Sequence, residues 1–332
     1  MNMANKITIT KIAQRAGVSI ATVSRIITQK GTVSPATRQK VLQAMDELEF
    51  DAAAIKANSS YQAILGFIPD FFNPFYAPII DGIQQTAHES GFEVFWVPTK
   101  DIFSNNMFYF QMLREGRFKG VVWLSSAPPT SLLDLIGKHC PFIMCCEYPE
   151  DYDCSYISID DKTAAYRAVN HLIASGCKEI GLVNCSLKYK YARHRKEGYL
   201  EALKNAGLTP NPEWSISVPY IDYTLAYSAV SQTLNANHMP DAFFTCSDLF
   251  AAAVINVAQK RDIRVPEDLS VIGFDNTETS RLVHPTLTTV GQPGFQIGQQ
   301  ACSVLLEKIA NPTLPERHIL LNTELIIRKS TR

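Results

Sequence analysis

Basic side chains without acidic neighbours dominate the first part of this 332-residue chain. Residues 1–60 carry eight Lys and Arg against four acids, and no acid precedes Asp46, so this segment has a net charge of +4. The remainder carries 23 basic and 28 acidic residues, a net charge of −5. Because clustered Lys and Arg attract a polyanion, the asymmetry favours such a partner for the first segment alone. The alternative is an ordinary solvated charged surface.

The stretch KIAQRAGVSIATVSRII, from Lys11 to Ile27, has the spacing of two short helices joined by a tight turn. Gly17 can adopt the conformation that ends a helix, and Ser19 can cap the next helix. Apolar residues recur at helical intervals on both sides of the turn, at Ile9, Ile12, Ala13, Ala16, Val18, Val23, Ile26 and Ile27. The stretch predicts a helix-turn-helix, although the pattern alone also fits an ordinary helical hairpin.

A third helix is predicted to begin at Ser34-Pro35, where a cap residue precedes a proline in the first turn. Its apolar positions include Val41, Met45 and Leu48, at intervals of four and three residues. Three such helices leave the exposed face of the second helix free to enter the major groove of DNA. Together with the acid-free charge, this arrangement indicates DNA binding.

From Ala63 onward, apolar strands alternate with amphipathic helices. The strands AILGFIP and FEVFWVP are echoed further along the chain by EIGLVNC and WSISVP. This alternation predicts parallel sheets, and there are too many strands for one ordinary open sheet. We therefore expect two similar α/β lobes with a ligand cleft between them, preceded by a linker at residues 49–61. A secreted binding protein would share such a body but would need a signal peptide and would lack the basic head.

The sequence lacks the features of several other protein classes. MNMANKITIT has no apolar run followed by a cleavage site, and no uncharged apolar stretch approaches about 20 residues, so we expect a cytoplasmic protein without a membrane span. The eight cysteines have no C-x-x-C spacing and form no cluster with histidine, which predicts free buried thiols and neither metal nor cofactor. GQPGFQIG departs from G-x-G-x-x-G, and no Ser/Cys–His–acid set is discernible, which argues against an enzyme.

Long segments of the chain resemble the lactose/galactose-repressor family of bacterial transcription regulators and are similar to its cytidine-repressor type. The resemblance rests on ITKIAQRAGVSIATVSRIIT and VSPATRQKVLQAMDELEF in the head, and on FFNPFYAPIIDGIQQTAHESGF, RHRKEGYLEAL, VPEDLSVIGFDNTE, HPTLTTVGQP and ELIIRKSTR in the body. It implies an all-α helix-turn-helix headpiece and an α/β, periplasmic-binding-protein-like body of two doubly wound lobes. It also implies a sequence-specific repressor of carbohydrate or nucleoside catabolic genes, controlled by a small molecule in the cleft.

The resemblance further implies where the chain divides and which partners it has. The chain would cross between the lobes three times, with HPTLTTVGQP returning to the first lobe and the last strand to the second. The expected divisions are a headpiece at 1–49, a hinge at 50–61 and a body at 62–332, with a first lobe of 62–160 and 291–318 and a second lobe of 161–290 and 319–332. The expected partners are a near-palindromic operator, a second copy of the chain, and a sugar, sugar phosphate or nucleoside.

Four hydroxyl residues of the head are expected to touch the DNA backbone. Ser19 and Thr22, at the start of the second helix, are placed to bond phosphate together with the amides there, and Ser34 and Thr37 match family positions that contact the backbone. Such contacts give affinity and register but carry no sequence information.

Ile20, Ala21 and Arg25 match the family positions that contact base edges. Arg25 could form a bidentate contact with guanine, whereas Ile20 and Ala21 can offer only apolar contact, for instance to a thymine methyl group. The alternatives are a place in the headpiece core for Ile20 and a phosphate contact for Arg25.

The linker departs from the family pattern, in which a proline is followed by a leucine that enters the minor groove. The corresponding positions here hold Ala52 and Asn58 or Ser59. A side chain that parts base steps must be apolar, and Ile55 is the only large apolar residue between Asp51 and Ser60. Either Ile55 takes this role or operator affinity depends on a second DNA-bound regulator.

Family positions in the cleft carry over one at a time to ten residues: Phe75, Tyr76, Ser126, Glu147, Tyr189, Tyr191, Arg195, Ile221, Asp248 and Asp275. Charged groups beside aromatic faces suit a polyhydroxylated ring. Alternatively, Phe75 could be ordinary core, and Tyr189 and Tyr191 could lie on the surface in the polar stretch KYKYARHR. Cys146 stands where many relatives have a polar or acidic side chain, so the identity of the effector stays open.

Overall fold

Two units make up the chain, Met1–Gln62 and Ala63–Arg332. The computed structural model describes residues 9–28, 33–48, 62–99, 102–234 and 239–332. Among the helices within these ranges, none combines the length and the hydropathy that crossing a bilayer requires.

Three helices form the described part of the first unit: α1 (Ile9–Ala16), α2 (Ile20–Thr28) and α3 (Pro35–Glu47). Their core consists of the buried side chains Ile12, Ala13, Val23, Ile26, Val41, Ala44 and Met45. All of these except Ala44 are residues that the helical spacing selected, and Ser34 caps α3 as predicted. The small core therefore follows from local sequence pattern.

The first lobe of the second unit is built on six strands: β1 (Gln62–Ile68), β2 (Phe92–Pro98), β3 (Gly120–Trp123), β4 (Phe142–Cys145), β5 (Tyr156–Ile159) and β11 (His318–Leu321). They form one sheet in the order β11-β5-β4-β3-β1-β2. The pairs β1–β3, β3–β4, β4–β5 and β5–β11 are parallel. The helices of this lobe are α4 (Ala77–Glu89), α5 (Ile102–Arg114), α6 (Thr130–Gly137) and α12 (Gly294–Ala310).

The second lobe is built on β6 (Ile180–Cys185), β7 (Ser215–Val218), β8 (Ala242–Thr245), β9 (Ser270–Asp275), β10 (Thr288–Gly291) and β12 (Glu324–Ile326). Their order is β12-β10-β9-β8-β6-β7, and only β12 runs antiparallel to its neighbour among the pairs described. The helices are α7 (Asp161–Ala174), α8 (Lys190–Asn205), α9 (Tyr223–Leu234), α10 (Asp248–Gln259) and α11 (Thr279–Leu282). Two doubly wound α/β lobes confirm the predicted fold class.

Three connections join the two sheets, and two of them lie a few residues from their expected positions. The second follows Gly291, because Thr288–Gly291 pairs with β9 in the second sheet, so HPTLTTVGQP crosses only at its last residues. The third follows Leu321, because β11 pairs with β5 through Leu321 and does not end at His318. The positions of both connections depend on how β10 and β11 pair with strands that are distant in the sequence, and the local sequence does not reveal this pairing.

Helix α12 returns the chain to the first lobe and packs closely against α4. Gly82 of α4 and Gly298 of α12 lie where the two backbones meet, and a β-carbon on either would collide with a carbonyl oxygen of the other helix. Glycine at both positions permits the close approach. The packing fixes the segment just before α12, including Gln292, at the edge of the cleft.

Candidate functional site

The turn between α1 and α2 has the geometry that its sequence predicts. Gly17 has a φ of +65°, in the left-handed region that glycine adopts without strain. The Val18 amide donates to the Ala13 carbonyl at 3.0 Å and the Gly17 amide donates to the Gln14 carbonyl at 3.3 Å, the bonding of a Schellman C-cap. The turn therefore fixes where α2 begins relative to α1.

Hydroxyl side chains cap both α2 and α3. Ser19 Oγ accepts a hydrogen bond from the Thr22 amide at 3.2 Å and lies 2.9 Å from Thr22 Oγ1. Ser34 and Thr37 repeat this arrangement at 3.2 and 2.7 Å. All four hydroxyls stand at helix N-termini, where amides and the positive end of the helix dipole favour an anion.

The outward face of α2 carries the three residues predicted to contact bases. Ile20 is 53% exposed, and Ala21 and Arg25 are also exposed. On the opposite side of the helix, Val23 and Ile26 are buried in the headpiece core. Ile20 therefore does not belong to that core, which was the alternative assignment for it.

A cleft opens between the two sheets of the body and has two adjoining parts. The inner chamber has a volume of about 460 Å³ and is lined by Asn73, Phe75, Tyr76, Leu124, Cys146, Glu147, Ser158, Ile159, Asp161, Tyr191, Arg195, Ile221, Asp275 and Gln292. The outer chamber has a volume of about 890 Å³ and is lined by Pro69, Asp70, Asn73, Tyr76, Thr99, Ser125, Ser126, Glu147, Tyr189, Tyr191, Tyr220 and Ile221. Both lobes line each chamber, as expected for a site that responds to lobe movement.

Nine of the ten residues predicted for the cleft line one or both chambers: Phe75, Tyr76, Glu147, Tyr191, Arg195, Ile221 and Asp275 in the inner chamber, and Ser126 and Tyr189 in the outer chamber. Phe75 also packs against the core, so its ring lies between the core of the body and the inner chamber. Tyr189 and Tyr191 are half-buried against the core of the second lobe, with their rings stacked 5.4 Å apart at the cleft wall, so neither is a fully exposed surface residue.

Asp248 does not line either chamber, contrary to the prediction. Its carboxylate accepts hydrogen bonds from the Thr277 amide at 2.6 Å, from Thr277 Oγ1 at 3.0 Å and from Thr289 Oγ1 at 2.5 Å. Burial raises the pKa of Asp248 to about 6, although these hydrogen bonds oppose the increase. Since both of its oxygens already have partners on β10 and on the loop after β9, Asp248 stabilises the end of the sheet.

Glu147 lines the cleft, but its carboxylate is already bonded across it. The two oxygens accept the backbone amides of Lys190 and Tyr191 at 3.0 and 2.9 Å, so a residue of the first lobe caps α8 of the second. Burial raises the pKa of Glu147 despite the nearby Lys190 ammonium group. Glu150 makes a second contact between the lobes, at 2.8 Å from His194 Nε2. The two glutamates hold the lobes in the observed arrangement.

Asp161, which the sequence analysis missed, joins two buried cations behind the inner chamber. It accepts hydrogen bonds from Lys190 Nζ at 3.0 Å and from Arg195 Nε at 2.9 Å, and all three side chains are at most 5% exposed. Burial alone would raise the pKa of Asp161, but Arg195 and Lys190 hold it below its ordinary value. Asp161 closely follows the first lobe's β5 at the start of α7, so the network lies at a connection between the lobes.

Asp275 ends β9 with a φ of 108°, a strained value for a residue other than glycine. Gln292 Nε2 donates to its Oδ1 at 2.8 Å, and the same oxygen lies 3.6 Å from Arg195 Nη1. Burial raises the pKa of Asp275 to about 8, although Arg195 opposes the increase. A strained, buried carboxyl group that lines a cavity is typical of a binding residue.

Aromatic rings supply most of the apolar surface beside these charges. Phe75 and Tyr76 meet edge to face with ring centres 5.1 Å apart. The Arg195 guanidinium lies 5.0 Å from the centre of the Tyr191 ring and 3.5 Å from that of Phe274. Apolar ring faces combined with a few convergent polar groups suit a ring-shaped ligand with polar substituents.

Further residues of the cleft wall were not predicted from the sequence. Those of the inner chamber are Asn73, Ser158, Asp161 and Gln292, and those of the outer chamber are Asp70, Thr99, Ser125 and Tyr220. Several follow the carboxyl ends of strands, which is the one signal that could have identified them, because ligands of parallel sheets bind there.

Two family models match the chain. Residues 8–52 match the bacterial regulatory proteins of the lacI family, and residues 169–331 match a periplasmic binding protein-like domain. The first match covers the three helices of the head and the second covers most of the second lobe together with α12.

Curated relatives and a solved structure extend this similarity over nearly the whole chain. The HTH-type transcriptional repressor PurR of Photobacterium profundum is 31% identical, covering 98% of both chains. The HTH-type transcriptional repressor CytR of Escherichia coli is 32% identical, covering 98% of this chain and 96% of CytR. The transcriptional regulator CelR in complex with cellobiose has a TM-score of 0.74 at 27% identity, covering 98% of this chain and all of that one. This chain therefore belongs to the lacI family of bacterial regulatory proteins and is a DNA-binding transcription regulator, not an enzyme.

Proposed function

We propose that this protein represses transcription by binding a near-palindromic operator as a homodimer, under the control of a small molecule in the cleft. The observation that carries the proposal is that α2 has one buried face and one exposed face. Val23 and Ile26 are buried, whereas Ile20, Ala21 and Arg25 are exposed. A helix with these two faces can present its exposed side chains to base edges in the major groove. One headpiece covers only a few base pairs, so two copies act together, and their two-fold symmetry requires a near-palindromic site.

Individual headpiece residues have distinct proposed roles. Arg25 forms a bidentate contact with guanine, and Ile20 and Ala21 contact thymine methyl groups. The four capping hydroxyls bond phosphate and set the register of α2 in the groove. The exposure of Ile20, Ala21 and Arg25 supports the assignment.

The hinge is proposed at residues 50–61, between a headpiece at 1–49 and a body at 62–332. Ile55 and its neighbours lie outside the described residues. Either Ile55 inserts into the minor groove as an apolar wedge or a second DNA-bound regulator supplements operator affinity.

A sugar or a nucleoside is the proposed effector, and genes of carbohydrate or nucleoside catabolism are the proposed targets. The repressor relatives and the relative that binds cellobiose support this proposal. A ligand that touches both lobes stabilises one angle between them, and the hinge transmits that angle to the paired headpieces. Such a ligand can change the affinity for DNA only if it binds the protein more tightly at one angle between the lobes than at another, and only by as much as these two ligand affinities differ.

DNA affinity is expected to fall steeply with salt, because Lys and Arg of the head displace condensed cations from phosphate. For about 6–10 phosphate contacts, affinity should fall roughly 10³–10⁵-fold between about 50 and 200 mM salt. A fluorescence-anisotropy titration of the full chain against a labelled duplex at several salt concentrations measures this slope. Affinity that does not respond to salt would contradict an electrostatic head.

Asp275→Asn is expected to leave operator binding intact and to shift the effector response to at least about tenfold higher concentration, since it keeps the shape of the side chain but can no longer provide a carboxylate to the ligand. An effector found by thermal-shift screening would be titrated against preformed protein–operator complex. Asp268→Asn, at a partly exposed aspartate of the same lobe, is the control and should leave the midpoint unchanged. An unchanged midpoint for Asp275→Asn would exclude it as a ligand group, and loss of operator binding without effector would make it structural.

A further inference from the structure

Carboxylates outnumber basic groups around the cleft. The charged side chains in or directly behind the inner chamber are the acids Glu147, Asp161 and Asp275 and the bases Lys190 and Arg195. The outer chamber adds Asp70, and no Lys or Arg of the described residues lines it. When Asp275 is ionised, the charged groups of the cleft therefore sum to a net negative charge.

Both bases are already committed to protein partners. Lys190 Nζ donates to Asp161 at 3.0 Å and its side chain is 2% exposed. Arg195 donates to Asp161 through Nε and Nη2 and to the Cys246 carbonyl through Nη1 at 2.6 Å. Its guanidinium also lies over the rings of Phe274 and Tyr191, at 3.5 and 5.0 Å from the ring centres. A phosphate or carboxylate in the cleft would thus meet acids without an uncommitted cation, which makes its desolvation unfavourable.

One carboxyl oxygen of Asp275 is free to accept a hydrogen bond from a ligand. Its side chain is 7% exposed and lines the inner chamber. Gln292 and Arg195 both approach Oδ1, and within the described residues no side chain or backbone group bonds Oδ2. The rings of Phe75, Tyr76 and Tyr191 line the same chamber as Asp275, and aromatic faces favour a cation.

We propose that the effector is a ring compound with an amino group that binds as an ammonium ion against Asp275, and that the cleft rejects phosphorylated sugars and nucleotides. This inference rests on the proposed function and narrows its ligand class. The amino group satisfies the free oxygen of Asp275, offsets the excess of acids and contacts the aromatic wall. A neutral hexose can bond the free oxygen of Asp275 but brings no positive charge to offset the acids. A sugar phosphate adds further negative charge to the cleft.

Binding of an ammonium group should also release a proton. The groups that face Asp275 are Arg195 of α8, Asp161 of α7, Asp248 of α10, Gln292, the hydroxyl of Tyr76 and the thiols of Cys146, Cys185 and Cys246. Because burial raises the pKa of Asp275 to about 8, the protein without ligand holds this carboxyl group protonated near pH 6.5. An incoming ammonium ion converts Asp275 to the carboxylate and the proton passes to solvent, whereas a neutral sugar leaves it in place.

The test uses the full-length protein and sets of sugars that differ at one group. D-Glucosamine, D-galactosamine and D-mannosamine are compared with the parent hexoses, the N-acetyl derivatives and the hexose 6-phosphates. Titration calorimetry at about pH 6.5, where such amines are protonated, is run in two buffers of different ionisation enthalpy. We expect one or more amino sugars to bind at least about tenfold more tightly than the matched neutral sugars, with proton release, and the phosphates not to bind. Asp275→Asn should abolish both the amine preference and the proton release.

Three outcomes would overturn the inference: equal or tighter binding of a neutral hexose, binding of any 6-phosphate, or no binding by any amino sugar. Amino-sugar binding without proton release, or with its preference intact in Asp275→Asn, would also overturn it. Operator binding by the same preparation, measured by anisotropy, distinguishes these failures from failure of the proposed function. A preparation that binds operator and responds to a neutral sugar keeps the proposed function and loses only the amino-group assignment.

Discussion

Asp161→Ala is expected to lower the free energy of unfolding of the body by about 3–5 kcal/mol, because it leaves two buried cations without their shared partner. Asp161 is 1% exposed and bonds both Lys190 and Arg195. The desolvation cost of each cation is offset in the folded protein chiefly by this carboxylate, and the loss of one partner exposes that cost. Urea denaturation followed by fluorescence measures the change.

The control for this prediction is an ion pair of the same type on the surface. Glu307 pairs with Arg317 at 2.5 Å, but both side chains are more than 40% exposed, so Glu307→Ala should cost less than about 1 kcal/mol. Asp161→Asn keeps the shape and should fall between these two variants. If Asp161→Ala cost no more than Glu307→Ala, the buried network would not contribute to the stability of the body.

Arg25→Ala is expected to weaken operator binding by about 1–3 kcal/mol while changing binding to random DNA little, because it removes a base contact and not a phosphate contact. Arg25 is exposed on the outward face of α2, beside Ile20 and Ala21. Competition binding with operator and random duplexes at one salt concentration measures both effects.

Arg38→Ala is the matched control, because it removes an exposed arginine from α3 and not from the base-contacting face of α2. Arg38→Ala should weaken binding to operator and to random DNA equally, or leave binding to both unchanged. Equal weakening of operator and random DNA by Arg25→Ala would show that Arg25 contacts only phosphate.

The head was predictable in detail because short-range signals determine it. Ser34 before Pro35, Gly17 at a turn and Ser19 at a helix start each specify backbone geometry within a few residues. The alternation of strands and helices likewise predicted two α/β lobes. The last two crossings between the lobes were predicted a few residues too early, because they depend on pairing between strands far apart in sequence.

The cleft was only partly predictable from sequence. The family resemblance placed Arg195 and Asp275 in the cleft, but nothing local in the sequence indicates that Asp161 lies between Arg195 and Lys190, about 30 residues away. Asp248 was assigned to the ligand because it matches a family position in the cleft, whereas its partners on β10 and after β9 occupy both of its oxygens. Hydrogen bonds of this kind join segments that are distant in the sequence, so they can be identified only from the folded structure.

Selection of binding sites from a random duplex library, followed by footprinting of the selected site, tests the central claim most directly. The account predicts a site with approximate dyad symmetry, protected in two matching halves about one helical turn apart, as expected for two headpieces related by a two-fold axis. Binding of two chains per duplex, measured by sedimentation, should accompany this pattern. Selection of no common sequence, or a protected site without dyad symmetry occupied by a single chain, would contradict a homodimeric, sequence-specific regulator.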